Sequence, residues 1–227
     1  MAFLVGLVLL GAALWWLFRL KQRDLRECRE VLGLAPASGA PVERGTTPEG
    51  FAYVQRAELR GTLLGRPATL AQRDVRYPRG SQYRRRGSAF TVLELALDRP
   101  ARASLRIQPA GVLGVVEALV RGEPTDRVAI DPDFDAAYLV YSDAPTAVLT
   151  VLTPAMRERL MAFRAQTAPG LATSTAAKLA SGFVLGTFHV DGATARYLAF
   201  GTPAKATAEH VKAAAPVLLE LAVAAGA

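Results

Sequence analysis

The chain opens on an unbroken apolar run. Ala2 to Phe18, AFLVGLVLLGAALWWLF, holds no charge and no strongly polar side chain. Seventeen helical residues reach ~25 Å, near the short end of what spans a hydrocarbon core of about 30 Å. Trp15 and Trp16 stand at the end nearest the charges, where an indole leaves its ring among acyl chains and its N–H among headgroups. Arg19, Lys21, Arg23, Arg26 and Arg29 follow at once. The pattern predicts an uncleaved transmembrane anchor over residues 1–20. A signal peptide needs basic residues ahead of its apolar run, and this one has only the α-amino group. A buried core helix would rarely be apolar on every face.

Past the run, polar and apolar positions change rhythm. Residues 21–50 read as a charged continuation of the helix followed by a Pro/Gly-rich linker, GLAPASGAPVERGTTPEG. A folded body is expected over 51–227. FAYVQRAELRG reads as a strand and Thr62 to Val75 as the next, with Gly61 and Gly65 permitting a turn or bulge. AFTVLELAL (89–97) alternates cleanly, and Arg102 to Ile107 makes a fourth strand. The joints are too short for helical crossovers, so these four predict an antiparallel meander. LGVVEALV (113–120) fits a short helix or a strand equally.

Later elements carry sharper signals. DPDFDAAYLVYS (131–142) ends in a strand. Thr153-Pro154 supplies a helix N-cap and a proline where no N–H is needed, and Met156, Leu160 and Phe163 then share one face. A hairpin is expected from Gly182 to Gly201, turning at Asp191-Gly192, with Thr187, His189, Arg196 and Leu198 on one face. A last helix is predicted over Thr207–Ala225, kinked or interrupted by Pro216. The fold class that follows is α+β: an N-terminal transmembrane helix, then an antiparallel-sheet domain with segregated helices.

Composition narrows the classes. Mean hydropathy is +0.21 with 51% hydrophobic residues, too low for a multi-spanning transporter and too high for a disordered chain. One cysteine, Cys28, excludes a disulfide scaffold and fits a reducing compartment. Of 27 basic residues only four are lysine, leaving 23 arginines. Arg19 to Arg106 holds 18 basic and 9 acidic residues, whereas the remainder of the chain holds 9 and 11. Arginine and lysine beside a span resist translocation, so the expected arrangement is single-pass in the bacterial inner membrane, N-terminus out and C-terminal domain in the cytoplasm.

Catalytic and metal chemistry find little support. His189 and His210 are the only histidines, and neither joins Cys28 in a metal-ligand spacing. Ser142, Asp143 and His189 can be assembled on paper into a hydrolase with His189 as base, but there is no G-x-S-x-G elbow. Asp131, Asp133 and Asp135 alternate without the further oxygens a calcium loop needs. The glycines of GTLLG and GFVLG make no phosphate cradle. No catalytic residue, metal or cofactor is assigned.

The arginine-rich stretch stands out. Arg73, Arg76, Arg79, Arg84, Arg85 and Arg86 occur with Tyr77 and Tyr83. Arginine beside aromatics suits phosphates of single-stranded nucleic acid and anionic lipid headgroups alike. On an anchored protein, lipid is the nearer partner. The reading is a membrane-anchored, non-enzymatic domain that binds the anionic membrane surface or a protein partner. Tyr77, Arg79, Tyr83, Arg84, Arg85 and Arg86 are its binding residues, and residues 2–18 contact the bilayer. A hydrolase using His189 and a nucleic-acid-binding module are the alternatives.

Three stretches resemble an uncharacterised family of bacterial membrane-anchored proteins, a domain of unknown function. They are LRGTLLGRP (59–67) with the following basic loop and FTVLEL, then FDAAYLVYSDAPTAVLTVLTPAM (134–156), and the late hairpin with its terminal segment. The second is similar to the family signature FD..F.V.SDD...A..LLTP, departing from it at Tyr138 and Ala144. The resemblance implies the architecture and assigns no catalytic residue.

Overall fold

The computed structural model describes residues 23–46, 52–76, 88–110, 127–167, 186–200 and 203–226. Helix α1 covers residues 23–32. The strands are β1 (Ala35–Pro36), β2 (Val42–Thr46), β3 (Ala52–Leu63), β4 (Arg66–Arg76), β5 (Ser88–Ala96), β6 (Leu105–Pro109), β7 (Arg127–Val128), β8 (Tyr138–Ser142), β9 (Thr187–Asp191) and β10 (Thr194–Phe200). Helices α2 (Pro132–Ala137), α3 (Pro145–Val151), α4 (Pro154–Thr167) and α5 (Lys205–Ala224) complete the described elements.

All ten strands join one antiparallel sheet in the order β1-β3-β4-β5-β10-β9-β6-β8-β7, with β2 also paired to β3. Of the four strands expected to form a meander, β3, β4 and β5 pair in turn and the fourth, β6, does not join them. The β9–β10 hairpin slots between β5 and β6, so β6 pairs with β9 and β8 rather than with β5. Neighbours in sequence were separated because β10 offers β5 a full seven-residue register, Thr194↔Ala96 to Phe200↔Phe90.

Side chains alternate across this sheet and define two faces. On the first, Leu59, Leu70, Leu93, Leu95, Ile107, Val140, Phe188 and Tyr197 are almost wholly buried. The buried residues of every described helix belong to the same cluster, among them Cys28, Phe134, Val148, Leu160, Val211 and Leu218. Phe163 of α4 meets Phe188 edge-on at 5.6 Å and Tyr197 at 6.1 Å. Tyr138 donates to the Leu160 carbonyl at 3.0 Å, so its hydroxyl is satisfied inside the core. Tyr197 accepts from Gly186 N–H at 2.8 Å and lies 2.6 Å from His210 Nε2. A neutral imidazole protonated at Nδ1 lets the hydroxyl donate to Nε2 and satisfies all three groups. Burial favours that neutral form and lowers the His210 pKa.

Several expectations are corrected. The architecture is a large antiparallel sheet with a few helices laid on it, not an α+β domain with segregated helices behind a transmembrane helix. Strands β9 and β10 come after α2–α4, so strands and helices are interleaved along the chain. No helix among the described residues is long and apolar enough to cross a membrane. The longest, α5, has 20 residues but carries Lys205, Glu209, Lys212 and Glu220. Residues 2–18, on which the anchor was expected, lie outside the described residues, as do 113–120.

Residues expected to be linker instead extend the sheet. β1 and β2 pair with β3, and Leu34 enters the core. α1 is charged outside yet seats Cys28 and Leu32, four residues apart, in that core. Burial pushes the Cys28 thiol up to about 11 and keeps it protonated. Pro216 does not interrupt α5, which runs through it. The alternating aspartates open a helix rather than a strand: Asp131 accepts from Phe134 N–H at 2.8 Å and pairs with Arg157, while Asp135 accepts from Ile130 N–H. Thr153 caps α4 as expected, accepting from Met156 N–H at 3.3 Å.

Candidate functional site on the second face of the sheet

The second face is built from the alternate positions of the same strands. Strand registers align one residue from each of eight strands in a single row: Arg60, Thr69, Glu94, Arg196, His189, Arg106, Tyr141 and Arg127. At about 4.8 Å per strand the row is roughly 34 Å long. It contains four arginines and one carboxylate. No two of these arginines sit on adjacent strands: Thr69 and Glu94, His189, and Tyr141 separate them along the row. Within the row Arg106 lies 4.3 Å from the Tyr141 ring centroid, and on the same sheet outside it Arg73 lies 4.3 Å from that of Tyr53.

Beside the row lies a polar network reaching across β2, β3, β4, β5 and β10. Arg73 Nε donates to Gln55 Oε1 at 2.8 Å. The Gln55 amide in turn donates to Glu94 Oε1 at 3.0 Å and Glu43 Oε2 at 3.2 Å. Arg196 Nε reaches the same Glu94 oxygen at 2.9 Å, and Tyr53 donates to Glu43 at 2.7 Å. Gln55 and Arg73 are only 5% and 6% exposed, yet neither belongs to the helix-covered core. Burial lowers the Arg73 pKa, and Arg196 nearby lowers it further. Burial also raises the Tyr53 pKa, with the Glu43 carboxylate adding to it.

The loop chosen from sequence, Tyr77, Arg79, Tyr83, Arg84, Arg85 and Arg86, lies outside the described residues. Its two ends do not. Val75 pairs with Ser88, so both ends leave the same end of the β4–β5 hairpin, two residues from Arg73. Arg73, read with that loop, is instead an interior strand residue.

The hydrolase constellation does not assemble. Leu105 pairs with both Ser142 and Val190, which puts Ser142 on the first face and His189 on the second. Ser142 Oγ donates to the Ser104 carbonyl at 2.7 Å, and Asp143 accepts from Ser104 N–H at 2.9 Å. The residues directly across from His189 are Arg196 and Arg106, neither able to act as the carboxylate that orients a catalytic base. Elsewhere, Leu64, Met156, Pro216, Leu219 and Val223 line an apolar groove of about 590 Å³. Its one titratable lining residue, Glu220, lies 3.6 Å from Arg159. Among the described residues no group of histidines, cysteines and carboxylates could hold a metal ion.

The second face therefore offers guanidinium groups, preoriented by hydrogen bonds and aromatic rings. Sequence reading missed it because Arg196, Arg106 and Arg127 come from distant segments. Their alignment needed the strand order.

No family model and no curated protein matches the chain. Among solved structures the chain is similar to the crystal structure of the mycobacterial trehalose monomycolate transport factor A, TtfA. Sequence identity is 12% over 88% of this chain and 93% of that one, with a TM-score of 0.43. A likeness of that degree transfers no residue and no role. The FD…LLTP stretch builds the core: Phe134, Tyr138, Val140, Val148, Val151 and Leu152 are all buried.

Proposed function

We propose that this protein is a non-enzymatic binding domain that docks on an anionic membrane surface through residues 77–87. Tyr77, Arg79, Tyr83, Arg84, Arg85 and Arg86 make the contact. The supporting observation is the Val75↔Ser88 register, which roots that loop beside a sheet face already rich in arginine. Anionic headgroups attract such basic residues at about 1 kcal/mol each. Lipid contact through residues 2–18, with the C-terminal domain on the cytoplasmic side of a bacterial inner membrane, completes the reading.

The test compares binding of the full chain to vesicles with and without phosphatidylglycerol. The difference between the two isolates the headgroup term from any apolar insertion. Replacing Arg84, Arg85 and Arg86 together with alanine is expected to reduce that difference on the order of 100-fold at low salt. An unchanged difference rejects the proposal.

A further inference from the structure

We propose that Arg73 and Arg196 form a binding site for a single phosphate group on the second face of the sheet. Arg73 is the key. Its side chain is 6% exposed, but no described carboxylate pairs with it. The two nearby acids are occupied elsewhere, Glu43 by Tyr53 and Gln55, Glu94 by Gln55 and Arg196. Glu94 and Glu43 favour the Arg73 charge only from a distance, and a buried guanidinium with no carboxylate directly on it is costly for a fold to keep.

What the fold does instead is orient it. The Tyr53 ring covers one face of the guanidinium, and Gln55 Oε1 holds its Nε. Gln55 cannot turn without losing both acceptors of its amide. Arg196 is gripped in the same way, by Nε alone, on Glu94. In both side chains the hydrogen bonds to described residues run through Nε, and the Nη1/Nη2 pair takes no partner among those residues. Two guanidinium ends, linked through Gln55 and Glu94, are thereby held ready. A planar pair of N–H donors matches two oxygens of a phosphate, and fixing it in advance lowers the cost of binding.

This site is independent of the loop proposed above. Variants with Arg84, Arg85 and Arg86 replaced should keep it, and variants of Arg73 should lose it while keeping the loop.

The experiment measures thermal unfolding of the full chain in inorganic phosphate against chloride of equal ionic strength. Phosphate is expected to raise the midpoint in a saturable manner. Arg73→Met, close in length and uncharged, should fold and lose at least 90% of that shift. Arg196→Met, at a more exposed position, should lose most of it and covers the case in which the Arg73 variant does not fold. A second arm places phosphatidic acid vesicles in competition with inorganic phosphate. Mutual displacement identifies a lipid phosphate as the source, and phosphate binding without it identifies a free phosphate. No phosphate-specific shift in the wild type, or the same shift in both variants, overturns the proposal.

Discussion

The two faces of one sheet solve the burial of the same strands in opposite ways. In β9, Phe188 and Val190 are 1% exposed beneath the helices, while His189 between them joins a row of arginines. The first face excludes water by packing apolar groups, which needs shape but no directional bonds. Near β4 the second face buries Arg73 and Gln55 instead, polar groups that must keep their hydrogen bonds to one another and to the partly exposed Glu94. Packing of the first kind supports a fold. Buried polar groups of the second kind add little net stability, so their placement points to use.

The sharpest way to break this contrast is to truncate adjacent residues. Phe188→Ala should cost about 3–5 kcal/mol in denaturant unfolding, whereas His189→Ala should cost under about 1 kcal/mol. Comparable losses at the two positions would mean that the second face is also structural core. Next comes Tyr197, a hydrogen-bonded group central to the first face. Tyr197→Phe leaves Gly186 N–H unsatisfied in the interior and should cost about 1–3 kcal/mol by the same measurement.

A smaller effect depends on pH. Burial holds the His210 pKa below the ordinary imidazole value. As pH falls below about 6.5 the unfolded chain takes up the proton first, so stability present above that pH is lost on acidification. The loss should be at most about 1.4 kcal/mol per pH unit. His210→Gln should lack this loss, so the stability difference between wild type and variant should shift against the wild type from pH 7.5 to 5.5; a difference independent of pH would show that His210 does not titrate with folding.

The least effect is expected at the rim of the sheet. Leu64 has a φ of +53° and is 48% exposed in the two-residue turn between β3 and β4, followed by Gly65 at +76°. Such a turn favours Asn-Gly, and a branched side chain there is strained. Leu64→Asn should raise stability by about 1 kcal/mol. A decrease would show that Leu64 contributes more through the groove with Met156 and Leu219 than its backbone costs.

How far each element was legible depended on whether its signal was local. The hairpin shows this well. Its turn falls at Gly192-Ala193, so the register is displaced by two residues from the expected one. A shift of two conserves the face of every side chain, and Thr187, His189, Arg196 and Leu198 still share one side. Helix α4 was readable from Thr153 and the spacing of Leu160 and Phe163, because capping and periodicity act within a few residues. β2 was not, because VERGT is largely exposed and is held by pairing to β3 and by the bonds Glu43 accepts from Tyr53 and Gln55, not by an apolar period of its own. Pro216 misled for a related reason: local propensity opposed a helix that eight buried residues stabilise.

By itself, the chain specified which residues alternate, which cap, which turn, and where arginine concentrates, since these follow from steric preference and hydrophobic period. Only the tertiary structure decided that β10 and β9 lie between β5 and β6. Strand order is chosen by the total register and area buried, a sum over distant segments that no window of sequence contains. That order aligned Arg196, His189, Arg106 and Arg127, and it drew Arg73 out of a loop reading into the face where its guanidinium is held.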